Sequence, residues 1–183
     1  MRNNLLKYDL AFATNNIPHT SSWKHIIQVY MEDKEKDIRA VPKLTDFHIH
    51  SETVKKMNVE YCTQVFTQRV ASQMMVWTEY ASGDFINVGA RSTARLINFL
   101  NQLFDSLNAG EYFVSGKPLK CALQNNTEHI ELWKKSVNIL KSMFLIKDDS
   151  KFGPLTIKNW ISTIESVLLL WRHLNGQEVF KYL

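Results

Sequence analysis

Apolar residues return at helical spacing along most of this chain, and over 92–108 they do so without a break. Leu96, Ile97, Leu100, Leu103, Phe104 and Leu107 form one stripe. A period of two could not put that set on one face, so the segment is constrained to an amphipathic helix. The same spacing recurs in Trp23, Ile26, Ile27 and Tyr30, with Ser21 or Ser22 as a cap. It recurs again from about Ser51 to Ala81 through Val54, Met57, Tyr61, Val65, Val70, Met74 and Trp77. Thr127 opens a further stripe of Ile130, Trp133, Val137, Leu140 and Phe144. Thr156 opens the last, through Ile157, Trp160, Ile161, Ile164, Leu168, Trp171 and Leu174 to Gly176. "AGEYFVSGKP" and "KDDSKFGP" read as loops, and strand-like alternation is nearly absent. The expectation is an all-α fold: one helical domain over 1–183 with about five main helices, one long central helix, and at most a short strand near 44–50.

Composition limits the functions such a bundle can serve. With 45% apolar residues among 183, a real core is available. The 22 Lys/Arg and 18 Asp/Glu are interspersed, so the net charge of +4 is not gathered into the basic stripe of a nucleic-acid groove. Cys62 and Cys121 lie among apolar residues outside any CxxC pair, which reads as two reduced, buried thiols. The most apolar run, "VLLLW" at 167–171, is far too short to cross a bilayer, and "MRNNLLKYDL" lacks a signal peptide's apolar stretch. A soluble intracellular chain with no membrane partner is expected.

Few residues suggest chemistry. His48 and His50, behind Asp46, make an HxH pair, but metal hydrolases that use this pair need ligands from further strands. The remaining histidines fall mainly on helical segments, so "DFHIH" reads as a capped turn leading into the long helix. No phosphate loop or nucleophile elbow occurs; "SGKPL" has Lys after Gly but no helix directly behind it. Asp105 and Asn108 lie one helical step apart, off the buried stripe. A carboxylate there could accept from N1–H and the N2 amino group of guanine, or hold Mg²⁺ bound to phosphates; Asn adds a donor and an acceptor. Spacing alone leaves this pair open between a solvated helix edge and the mouth of a ligand site.

Several ordered blocks add information. "PKLTDFH" (42–48), "VKKMNVEYCTQVFTQRVA" (54–71), "TARLINFLNQLFDSLN" (93–108), "KPLKCAL" (117–123) and "WISTIESVLLLW" (160–171) resemble the P-element-type transposases, which include the THAP-domain transposases of animals. "RNNLLK" resembles the segment following the second catalytic Asp of their RNase H-like core. "FKYL" (180–183) looks like the start of the run into the final catalytic helix. In that family a helical insertion splits the RNase H-like fold and binds GTP, which assists assembly on transposon ends and is not hydrolysed.

The resemblance implies a nucleotide site made by Lys43, Val59, Thr67, Phe104, Asp105 and Asn108, with Asp37 placed by counting back from "KLT". Asn58 stands where the family pattern has a basic residue. The implied cofactors are GTP and Mg²⁺, the latter through the phosphates or Asp105. The implied partners are the rest of the RNase H-like core and, in a full transposase only, transposon DNA. The implied location is the nucleus. Residues 1–20 would be a remnant of the core junction. No DxPH-type Asp precedes "RNN" and no acidic "DPLE" segment follows, so the chain is expected to lack the cleaving carboxylates and to be no enzyme by itself: an excised domain or a decayed or repurposed copy. The competing expectation is a helical protein-interaction module that has lost nucleotide binding, favoured by Asn58 and the missing acidic segment. Retention of Lys43, Asp105 and Asn108 together favours nucleotide binding.

Overall fold

The computed structural model of the chain describes residues 2–49, 59–80, 89–125, 127–148 and 150–175. Its helices are α1 (Arg2–Leu5), α2 (Trp23–Lys34), α3 (Asp46–Ile49), α4 (Val59–Val65), α5 (Gln68–Tyr80), α6 (Ala90–Leu107), α7 (His129–Lys141) and α8 (Leu155–Leu174). Among the described residues there are also four strands: β1 (Asp9–Thr14), β2 (Ile17–Ser21), β3 (Phe144–Lys147) and β4 (Ser150–Phe152). They form one antiparallel sheet in the order β2-β1-β3-β4. The fold is therefore mixed α/β, and the all-α expectation is overturned. The described part of the stretch 44–50, residues 44–49, carries no strand but the short helix α3.

The sheet escapes a periodicity reading because its strands are short and expose most of one face. Only Leu10 and Phe12 of β1 carry an apolar buried alternation; β2 opens on the exposed Ile17 and Pro18 and buries polar His19 and Ser21, and no residue of β4 is buried. Asn15 and Asn16 have φ of 49° and 64°, the two positive values of a type I′ hairpin, and Asn tolerates that region better than most residues. "KDDSKF" is likewise a hairpin rather than a loop: Lys147 pairs with Ser150, and Asp148 takes φ 50°. The two hairpins, far apart in sequence, meet through Leu10 and Leu145, both fully buried.

The long central helix is also corrected. Among the described residues it is two helices, α4 and α5, separated at Phe66–Thr67. The apolar spacing marks the break: Val65 and Val70, both buried, are five residues apart, which would carry one of them off a continuous stripe. Elsewhere most of the helical stripes are buried as their spacing implies, the exceptions being the exposed Phe104 and Leu174, and Phe144, which belongs to β3 and not to α7. The α5 helix packs along α6, α6 lies on β2, and α7 packs on α8. Met74, Leu96, Ile97, Leu103 and Ile164 are fully enclosed, and Leu140 nearly so. Trp133 Nε1 donates to Ser106 Oγ at 3.0 Å, fixing α7 to the inner face of α6. Ser22 caps α2, but Thr127 closes a turn on Gln124 instead of capping α7, and α8 starts at Leu155 behind Pro154. Cys62 and Cys121 are free and half-buried, not enclosed.

Candidate functional site

The turn after α2 is shaped by one buried carboxylate. Asp33 is fully enclosed and accepts from Ala40 N at 2.7 Å, Val41 N at 3.1 Å and Arg39 Nε at 3.1 Å. Arg39 passes the constraint on by donating to Leu44 O at 2.7 Å. Val41 and Leu44 are thereby anchored in the core, and Leu44 N donates to Val41 O at 2.9 Å. Lys43 lies between these anchors with its side chain exposed; Asp37 is exposed on the preceding bend.

His48 belongs to this scaffold. Thr45 N donates to His48 Nδ1 at 3.0 Å, which leaves the proton on Nε2, and that nitrogen meets Gln64 Oε1 at 2.7 Å. Both ring nitrogens are engaged in capping α3 and joining it to α4. Burial lowers the His48 pKa, a drop only partly offset by the bonds to Gln64 and Thr45. His50 lies outside the described residues, and among those no cluster of three or more His, Cys, Asp or Glu could hold a metal.

Thr67 is the hinge between α4 and α5. Its Oγ1 accepts from Val70 N at 3.3 Å and its carbonyl from Ala71 N at 3.1 Å, so it caps the N-terminus of α5. It also lines an open cleft of about 570 Å³, together with Ala40, Arg69, Asn101 and Lys117. That volume lies in the range of small-molecule sites. Val59 opens α4 whereas Thr67 lies beyond its end, so the two do not share one helix, and the Val59 side chain, like Asn58, lies outside the described residues.

Asp105 stands directly behind this cleft. Asn101 Nδ2 donates to its Oδ2 at 3.3 Å, and Lys117 Nζ lies 3.6 Å from the same oxygen. Both of those partners line the cleft. The Asp105 side chain keeps 18% exposure and Lys117 keeps 46%. One turn on, Asn108 is the C-cap of α6: its backbone N–H and its Nδ2 both donate to Phe104 O, at 3.1 and 2.9 Å. The Phe104 ring is 40% exposed, unlike the rest of the α6 stripe.

Of the seven residues that the sequence singles out, Thr67 therefore lines the cleft and Asp105 touches two of its walls. Phe104 and Asn108 sit beside Asp105 on α6, while Lys43 and Asp37 stand on an exposed turn and are not among the cleft's lining residues. Sequence reasoning missed Arg69, Asn101 and Lys117. Lys117 was legible in part through "SGKP": Gly116 takes φ 71°, and Pro118 starts a short 3₁₀ turn, Pro118–Lys120. Val114 N bonds to Cys121 Sγ and Ala122 N to Glu111 O, closing the loop on itself. This closed loop, packed on α6, brings Lys117 to Asp105 across twelve residues of sequence.

Comparison with known proteins gives two matches. Residues 1–121 match the family model described as the TNP-like, GTP-binding insertion domain. The structure matches a chain of the Drosophila P element transposase strand transfer complex with a TM-score of 0.74 and 16% identity. That match covers 97% of this chain and 38% of the transposase chain, and at this identity it speaks for the fold. No curated protein gives a significant match. Among the described residues no helix is long and apolar enough to cross a membrane.

Proposed function

The chain belongs to the family of TNP-like GTP-binding insertion domains, and from that premise we propose that the cleft beside α5 is its guanine-nucleotide site. The observation that carries the reading is Asp105, a carboxylate held, among the described residues, by two side chains that line a cleft of about 570 Å³, Asn101 and Lys117. Its free lone pairs suit the N1–H and N2 amino group of guanine, which form a matched pair of donors. The exposed Phe104 ring offers the base a face, and Asn108 offers an amide to base or ribose. Thr67 lines the cleft, while Val59, Lys43 and Asp37 are assigned to the site by the resemblance, the last two standing on the turn that Asp33 shapes. Mg²⁺ arrives on the phosphates of GTP instead of on a site built by protein alone.

In this reading the chain acts as the insertion domain of a P-element-type transposase. It supports assembly on transposon DNA in the nucleus and leaves GTP unhydrolysed. Residues 1–20 join it to the RNase H-like core. Binding of this chain alone to DNA is micromolar at best and salt-sensitive, because its cations are interspersed with acidic residues. Thermal denaturation tests the nucleotide reading. GTP with Mg²⁺ should raise the melting temperature and ATP should raise it less; a ligand at about 100 times its dissociation constant adds roughly 2.7 kcal/mol. Equal shifts with the two nucleotides would remove the guanine-reading role of Asp105.

One observation favours the second reading, a helical interaction module. On α8, Leu169, Leu170 and Leu174 are 51%, 56% and 70% exposed, apolar surface that a partner could cover. No shift with either nucleotide at millimolar concentration would favour that reading.

A further inference from the structure

Lys117 occupies two environments at once: it lines the cleft, and it sits 3.6 Å from Asp105 Oδ2. In the unliganded chain it therefore competes for the carboxylate that a guanine would need. An amine on a four-carbon stem, nearly half exposed, can leave that partner at little cost. The backbone beneath it is far less free. Lys117 N donates to Val114 O, Lys120 N donates to Lys117 O, and the loop is closed by the bonds of Cys121 and Ala122. A held backbone beneath a flexible, half-exposed side chain is the arrangement of a cation that changes partners.

We propose that Lys117 hands over on binding: guanine takes Asp105, and the displaced ammonium turns to the phosphate tail, joining Arg69 on the cleft wall. The inference rests on the reading of Asp105 as the guanine-binding carboxylate. Arg69 is exposed in the first turn of α5, next to the Thr67 cap, so both cations reach the one cleft. The ammonium opposes base binding while it stays on Asp105 and favours phosphate binding once it leaves, so its contribution changes sign with the ligand. Together the two cations supply positive charge to the tail in a chain that has Asn58 where the family pattern has a basic residue.

Titrations of the 183-residue chain with guanosine and with GTP–Mg²⁺ test this, comparing wild type with Lys117→Met and Lys117→Gln. Handover predicts opposite effects: guanosine affinity rises about threefold, because Asp105 loses its competitor, while GTP affinity falls about tenfold. Arg69→Gln should weaken GTP alone. Losses for both ligands, gains for both, no change, or a GTP loss with guanosine unaltered would each overturn the handover while wild-type GTP binding keeps the nucleotide reading standing. Wild-type protein that binds neither ligand would overturn both. Two variants of different polarity, each checked for an unchanged melting temperature without ligand, separate these outcomes from misfolding.

Discussion

Asp33 and Asp105 each end a helix that packs in the core, yet their surroundings assign them opposite work. Asp33 is fully enclosed and held by two backbone N–H groups and the Arg39 guanidinium, at 2.7 to 3.1 Å. Asp105 keeps 18% exposure and is held by two side chains, at 3.3 and 3.6 Å. Backbone donors cannot leave without unmaking the turn, whereas an amide and an ammonium can. A carboxylate satisfied by the main chain is scaffold; one satisfied by replaceable side chains beside a cleft is available to a ligand.

The largest effect is expected at the scaffold carboxylate. Asp33→Ala orphans two N–H groups, that of Val41 buried and that of Ala40 partly so, and leaves Arg39 without its counter-charge, a loss on the order of 3–5 kcal/mol. Chemical denaturation should show a large drop in midpoint, and GTP binding should weaken with it because the turn carrying Lys43 loses its anchor. A midpoint within experimental error of wild type would erase the distinction between the two carboxylates.

Next comes Leu103→Ala, two residues before Asp105 on the same helix but fully buried. The cavity and lost transfer energy should cost about 3 kcal/mol. Excess GTP should recover part of the lost stability, since the substitution leaves the cleft-facing side chains in place. This sharpens the contrast along a single helix, where α6 gives one face to packing and its last turn to the site.

A fall in pH should act on the scaffold side first. The pKa of His48 is lowered by burial, as are those of His19 on β2 and His25 on α2, which meet Ser92 and Thr93 in the first turn of α6. Arg95 adds to the drop at His19: its Nη1 lies 3.4 Å from Nε2, so protonating the ring would set two cations together. At His25, Asp9 opposes the drop and Lys24 reinforces it. Since the folded pKa values lie below the unfolded one, the unfolded chain binds protons first. Their contribution is complete above about pH 6.5 and is lost progressively as pH falls below it. The melting temperature should hold near neutrality and fall below about pH 6.5; a rise on acidification would contradict the assigned neutral rings.

What could be read from the sequence follows the same physical division. Helices announce themselves through a stripe that must be buried, and α2, α6, α7 and α8 lie close to where their apolar residues place them. Even the break at Thr67 is written in the five-residue step from Val65 to Val70. The sheet is not so written, because strands of three to six residues leave only Leu10 and Phe12 as an apolar alternation, and the alternately buried pair of β2, His19 and Ser21, is polar. Asn15–Asn16 was the available hairpin signal. Asp105 and Asn108 could be singled out by spacing and by resemblance, but Lys117 could not be joined to them: an ion pair between a helix end and a loop twelve residues on depends on how that loop closes.

The smallest change in stability, and the sharpest separation, should come from Asp105→Ala. The substitution removes one loose ion pair and one hydrogen bond between side chains, and such partly exposed pairs are worth about 1 kcal/mol or less. Unlike Asp33, it leaves no backbone donor stranded, and Asn101 and Lys117 both line an open cleft where water can satisfy them. The apo melting temperature should therefore barely move, while the GTP-dependent shift disappears. Asp105→Asn refines the point: it keeps the size and one acceptor but replaces the other with an amide donor that opposes the guanine N2 amino group, so it too should lose the shift. If Asp105→Ala instead unfolds the chain as Asp33→Ala should, then Asp105 belongs with the scaffold and the cleft has no guanine-reading group on this wall.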